Sequence, residues 1–321
     1  SEDSGLPPYE LEPDYRLKLG ELAGFLRQPA RYFFRRRLGV HFGQREVVGE
    51  DEEPFSLDAL ERYLLEDTLL DDSGTQEAQG EVRQVLATRA GRLAREGVLP
   101  IGLIGRQWQQ QLVDELVPVR SAWLALGARY PQPAPKLAVS LDLDGIVFDD
   151  WIDRLRSSDE RSVWLMQISS KVLDRKGAPR GDKLIGPWLR QLAAGASGAA
   201  LTGYLVARDG IVEMAPIAQD LALATLRQLA ALWRRNLDHP LPVACKTALA
   251  QLQDGDARET YDGGFELPGE VEDPCLARLW PEFALLRAAG GWPDVAEALY
   301  GPLVAWLEAG VTVTRFEGGE A

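Results

Sequence analysis

Apolar positions in the first 130 residues recur every three or four places, the period of a helix with one buried face. Leu19, Leu22, Phe25 and Leu26 form one such set. Pro29 can open a second helix ending near Leu38-Gly39, because proline suits a first helical position and glycine the one after the last. Ser56 is placed to cap a third through Leu57, Leu60, Leu64 and Leu65, and Val82, Val85, Leu86 and Leu93 mark a fourth. Residues 102–127 continue the helical period. "YPQPAPK" at 130–136 breaks it, so a mainly helical subdomain, 1–135, is expected to give way there to an α/β core with carboxyl-terminal helices, 136–321.

Beyond the break the period falls to two. Leu137, Val139, Leu141 and Leu143 alternate with Ala138, Ser140, Asp142 and Asp144, which describes a strand with one wet face. A second strand is expected over Val163 to Ile168 and a helix over 182–195. "LTGYLVARDGIVEMAPI" at 201–217 reads as a hairpin turning at Asp209-Gly210, where Asp-Gly supplies the positive φ angles of a two-residue turn. A long helix follows from Gln219 to Leu237. The expected class is α/β behind a helical front, together one compact unit.

Composition narrows the functions. The 321 residues are 45% hydrophobic and 26% charged, with 35 basic against 49 acidic side chains. A net charge of −14 excludes a uniformly DNA-coating surface, so any phosphate contact must come from a local patch. No apolar run reaches the roughly 18 residues needed to span a bilayer, so a soluble protein without a membrane partner is expected. The chain opens on SEDSGLPPYELEP without Met, which suggests a fragment of a longer chain. Its two cysteines, Cys245 and Cys275, lack CxxC spacing, and its two histidines, His41 and His239, leave little for a metal centre; a reducing cytoplasm fits this usage.

One stretch resembles catalytic chemistry. "VSLDLDGIVFDD" at 139–150 has Asp142 and Asp144 two apart, as in the first motif of haloacid-dehalogenase-type phosphatases. The motif strand of those enzymes is buried on both faces and should read as a continuous apolar run, whereas this one alternates. Ile146 also occupies the place expected of a hydroxyl residue.

Six blocks carry a broader resemblance: "FLRQPARYFFRRRLGV" (25–40), "EEPFSLDALERYLL" (52–65), "REGVLPIGLIG" (95–105), "PWLRQLAAGASG" (187–198), "HPLPVACKTALAQL" (239–252) and "YDGGFELPGEVEDPCLARLWPEF" (261–283). In this order they resemble the carboxyl-terminal region of the RecC family, the gamma chain of bacterial exodeoxyribonuclease V. The resemblance implies a restriction-endonuclease-like core, similar to the RecB nuclease domain, that has lost its active site. It implies a non-catalytic scaffold and DNA-handling role in recombinational double-strand-break repair, with RecB-like and RecD-like subunits and with double-stranded DNA ends and single-stranded DNA as partners. No cofactor is implied. A RecB-type nuclease would need an Asp on one strand and D-x-K on the next, two carboxylates for Mg²⁺ and a Lys to steady charge. The corresponding positions here are Asp153 in "DDWIDRL" and Gln167 and Ser169 in "VWLMQISSK". Another register would use Lys171, with Ser169 in the acid's place. Related nucleases carry an iron–sulfur cluster with a Cys-Pro pair where this chain has Gln28-Pro29, and two cysteines cannot make a four-thiolate site.

Other readings of the residues stand beside these. An active Mg²⁺-dependent nuclease of the same fold and a phosphatase using Asp142 and Asp144 are the alternative functions. Arg27, Arg31, Arg35, Arg36 and Arg37 can form a phosphate-binding stripe or a solvated helix face paired with acids. Tyr32, Phe33 and Phe34 can stack on bases or pack inward. Trp108, Trp188, Trp233, Trp280 and Trp292 are core candidates, some with a place at a protein interface.

Overall fold

The structure, a computed structural model, describes residues 7–40, 69–70, 81–97, 103–158, 161–264 and 267–316. The helix expected over 57–65 lies outside them.

The amino-terminal periodicity resolves into α1 (Leu19–Arg27), α2 (Pro29–Arg37), α3 (Val82–Arg95) and α4 (Leu103–Arg129). Pro29 opens α2, where its missing N–H is no loss, and Gly39 just beyond has φ +64°. β1 (Gln132–Pro133) lies within the proline-rich break. Then come β2 (Leu137–Leu143), β3 (Ile146–Ile152), β4 (Leu155–Ser157) and β5 (Ser162–Gln167). α5 (Gly181–Ala196) leads to β6 (Thr202–Ala207), β7 (Gly210–Met214), the long α6 (Gln219–Asp238), α7 (Cys245–Leu252) and α8 (Ala257–Asp262). α9 (Pro274–Leu279), α10 (Phe283–Ala288), α11 (Trp292–Ala309) and β8 (Val311–Arg315) complete the described chain.

β2 and β3 form a two-stranded antiparallel hairpin, and the other strands form a mixed six-stranded sheet in the order β1-β4-β5-β6-β7-β8. Among the described strands of this sheet only β5 and β6 run parallel, joined by a crossover through α5; the other neighbours are antiparallel. The class is therefore mixed α/β.

Side-chain alternation along β5 divides the core in two. Trp164 points into a large cluster built on α1, α2, α5, α6 and α11. Val163 and Leu165 point the other way, into a second cluster with Leu69, Leu70, α3 and α4. The helical front is thus split, α1 and α2 packing with the carboxyl-terminal helices and α3 and α4 covering the opposite face. Gly203 stands opposite Trp164 in the parallel ladder, and a Cβ there would lie 2.3 Å from the indole, so glycine lets the ring cross the neighbouring strand.

Gln191, on α5, ties these elements together. Its Oε1 accepts from Trp164 Nε1 at 2.7 Å, and its Nε2 donates to the carbonyls of Leu201, Met214 and Ala215. A buried amide with all its partners supplied fixes the helix against the ends of β6 and β7 more specifically than apolar contact would.

The two Asp-Gly pairs at strand turns, Asp144-Gly145 and Asp209-Gly210, behave differently from expectation. The 201–217 hairpin forms, but Ala207 pairs with Gly210, so the turn residues are Arg208 and Asp209, and Gly210 lacks a positive φ. Glycine is needed there for close approach: a Cβ would lie 2.6 Å from the Thr314 carbonyl of β8. The positive-φ turn belongs instead to Asp144 (φ 55°) and Gly145 (φ 89°), between paired Leu143 and Ile146.

Candidate functional site: the carboxyl ends of the parallel strands

"DLDG" is the tip of the β2–β3 hairpin. Asp142 Oδ1 accepts from Gly145 N at 2.7 Å, which closes the turn, and exposed Asp144 lies 3.6 Å from the Arg227 guanidinium. The phosphatase geometry needs these acids at the end of a central strand in a parallel sheet, which is not where this hairpin places them.

Asp153, Gln167 and Ser169 are not brought together. Asp153 follows β3 and makes a 2.8 Å ion pair with Arg190 of α5, which also donates to the Asp153 carbonyl. The Arg190 guanidinium lies 5.4 Å from the Trp164 ring centroid, on the α5 side of the sheet. Burial pushes the Asp153 carboxyl upward, but the hydrogen bond and charge of Arg190 outweigh it and hold the group below the usual carboxylate range. Gln167 faces the other way. Its Nε2 donates to the Leu70 carbonyl at 2.7 Å, within the cluster formed with α3 and α4. Ser169 is fully buried, and neither its Oγ nor Gln167 Oε1 has a hydrogen-bond partner among the described residues. Lys171 is exposed in the following loop. Among the described residues no three His, Cys, Asp or Glu side chains are grouped as metal ligands.

Most of the arginine stripe is engaged in packing. Arg31 pairs with Asp273 at 2.8 Å across 242 residues of chain. Arg36 lies over the Tyr15 ring, and Arg37 lies over Tyr9 and donates to the Pro7 carbonyl. Arg27 and Arg35 are exposed, and Arg27 reaches toward Gly186 of α5. Phe33 and Phe34 are buried, and Tyr32 accepts from Trp233 Nε1 and donates to Glu21. Packing is the role of all three aromatics. Trp188, Trp233, Trp280 and Trp292 are buried as expected, Trp108 is half-buried, and Trp151 on β3 is 57% exposed. Both cysteines are buried free thiols; burial and nearby Asp273 push Cys275 up to about 12, so neither is a ready thiolate at neutral pH.

The loop from β5 to α5 is the element the sequence reading passed over. The Asp209 carboxylate accepts from Val172 N and Leu173 N, Arg208 N donates to the Ser170 carbonyl, and Leu173 bridges Pro179. Asp174 turns its Oδ1 onto the amides of Lys176 and Ala178, closing a tight turn at Gly177 (φ 84°). The signal was present in "KVLDRKGAPRGDK" at 171–183, where five cations accompany two acids, but it lacked the regular spacing of the arginine helix.

Fold and site together define a mixed α/β domain that uses the polar residues near the end of its parallel strand pair mainly for packing. The family described as the RecC C-terminal domain matches residues 14–256, and the chain belongs to that family. It is similar to the RecBCD enzyme subunit RecC of Escherichia coli, 28% identical over 310 residues, which is 88% of this chain and 24% of that protein. The RecBCD enzyme subunit RecC of Haemophilus influenzae is 26% identical over 226 residues, 68% of this chain and 18% of that protein. The chain thus spans about a quarter or less of the length of the curated relatives it matches. Among the described residues no helix is long and apolar enough to cross a membrane.

Proposed function

We propose that this chain is a non-catalytic scaffold and DNA-handling module of an exodeoxyribonuclease V assembly, with RecB-like and RecD-like subunits as partners and DNA ends as substrate of the whole. Its core is a restriction-endonuclease-like fold in which the metal-binding chemistry has been replaced by packing. The observation that carries this reading is the separation of two nuclease positions: Asp153 is neutralised by Arg190 on one face of the sheet, and Gln167 is bonded to Leu70 on the other. Metal-assisted hydrolysis needs convergent carboxylates with open coordination positions. Membership in the RecC C-terminal domain family supports the assembly partners. The division into a mainly helical part, 1–135, and an α/β core with carboxyl-terminal helices, 136–321, is proposed as two parts of one compact unit, with α3 and α4 of the first packed on a sheet face of the second.

The test has two arms. The chain should degrade neither linear duplex nor single-stranded DNA with Mg²⁺ or Mn²⁺, and it should be captured by separately purified RecB-like or RecD-like subunits. Cleavage lost on Asp153→Ala would overturn the non-catalytic reading, and failure of capture by either subunit would overturn the scaffold.

A further inference from the structure

We propose that the β5–α5 loop, with Arg315 beside it, is a preformed contact surface for the phosphodiester backbone of DNA, and that the arginine-rich helix α2 is not the main contact. The proposal rests on the reading above that this chain handles DNA, and it names where.

Lys171, Arg175, Lys176 and Arg315 are all exposed, and none has an ion-pair partner among the described residues. Their proximity follows from the ladder. β5 and β6 run parallel, so the loop leaving β5 and the turn Arg208-Asp209 leaving β6 share one end of the sheet. β8 brings Arg315 opposite Gly210 at that end, where its side chain packs on Gly177 of the loop. In open α/β sheets this is the end at which ligands bind.

Acids in the region are already committed. Asp209 caps the amides of Val172 and Leu173, Asp174 caps those of Lys176 and Ala178, Asp182 pairs with Arg180 and Glu115 with Arg208. In a chain with 14 more acidic than basic residues, three cations without ion-pair partners on one pinned loop, with Arg315 of β8 beside them, are a local reversal of sign. Because the loop is held by five backbone amides bonded to carboxylates or to neighbouring strands, a ligand would not bear the entropy of ordering it. Residues 171–183 contain no aromatic side chain for stacking on bases, so the surface fits phosphate, read without sequence preference. The α2 arginines offer less: Arg31, Arg36 and Arg37 are bound to Asp273, Tyr15 and Tyr9.

The experiment measures binding of the chain to a labelled oligothymidylate and to a duplex of equal length by fluorescence anisotropy, across a salt series. Three proteins are compared: the parent, a loop variant carrying Lys171→Gln, Arg175→Gln, Lys176→Gln and Arg315→Gln, and a helix variant carrying Arg27→Gln, Arg35→Gln and Arg36→Gln. All changed side chains of the loop variant are exposed, and circular dichroism checks its fold. The loop variant should bind at least about tenfold more weakly at low salt, with the slope of log K against log salt reduced by about 3, while the helix variant changes by less than about threefold. A parent that binds DNA with an unaffected loop variant would sink this assignment and leave the DNA-handling reading in place. A parent that binds neither oligonucleotide would sink both, and capture of polyglutamate by the loop in that case would reassign the surface to an acidic protein.

Discussion

Writing a D-x-K nuclease motif into this protein should unfold it sooner than it produces cleavage. The double variant Gln167→Asp, Ser169→Lys writes D-x-K at the end of β5. In the parent, Gln167 donates to the Leu70 carbonyl at 2.7 Å, and aspartate, one methylene shorter and acceptor-only, loses that bond and sets a carboxylate near a carbonyl oxygen. The lost bond and the stranded carbonyl together cost about 1–3 kcal/mol. Ser169 is fully buried, so lysine there both overpacks, at about 1–3 kcal/mol, and buries an ammonium. Pairing of the new charges offsets only part of their desolvation. The sum, about 3–6 kcal/mol, is comparable with the whole folding stability of a typical domain, about 5–15 kcal/mol.

Urea unfolding followed by tryptophan fluorescence measures the loss, and a Mg²⁺-dependent nuclease assay runs alongside it. Ser169→Ala is the control. Its hydroxyl has no partner among the described residues, so removing it should leave stability unchanged or raise it by up to about 1 kcal/mol. A double variant within about 1 kcal/mol of the parent, or one that cleaves DNA, would refute the view that packing occupies these positions.

Gln191→Leu strands the Trp164 N–H and removes three carbonyl contacts, so its urea-derived stability should fall by about 2–4 kcal/mol, and a loss under about 1 kcal/mol would contradict the bonding described. Asp209→Ala frees the amides of Val172 and Leu173, which should exchange with deuterium faster while those of β6 stay protected; uniform exchange across both would show that Asp209 does not pin the loop. Asp153 and Asp238 are both held below the usual carboxylate range, burial being outweighed by Arg190 in the first case and by the Tyr9 amide and Arg234 in the second. Depressed folded values make their contribution full above about pH 4 and lost as pH falls through those lower values, so Asp153→Asn with Asp238→Asn should flatten the decline of the urea midpoint below about pH 4.

Local periodicity carried much of this architecture. Leu19 to Leu26 and Val82 to Leu93 gave their helices, and the alternation from Leu137 to Leu143 gave both β2 and its wet face. What it could not carry was pairing between distant segments. Nothing near Arg31 indicates that it meets Asp273, and nothing near Leu70 indicates that it covers Gln167. Hence a stripe that is regular in sequence, with Arg27 ending α1 and the other four on α2, lost three of its five arginines to packing partners. The Asp-Gly signal was read correctly at a hairpin but for the wrong reason at Gly210, where a neighbouring strand, invisible to local sequence, requires the glycine. Gln191 was legible in principle, as the one amide among Trp188, Leu189, Leu192 and Ala193 on a buried helix face.

The placement of polar groups around β5 follows one rule, and it bears on where function can reside. The sheet is covered on both faces, by α5 and its neighbours on the Trp164 side and by Leu69, Leu70, α3 and α4 on the Leu165 side. A polar side chain buried on either face must therefore find a partner or remain unsatisfied. Only the strand ends escape this constraint. The loop after β5 emerges beyond both layers, its amides satisfied by Asp209 and Asp174, which leaves Lys171, Arg175 and Lys176 in solvent with no internal obligation. On the proposed reading, the geometry that sets Asp153 and Gln167 on opposite faces also presents Lys171, Arg175 and Lys176 on a rigid support, a device for holding a phosphate backbone that needs no chemistry at all.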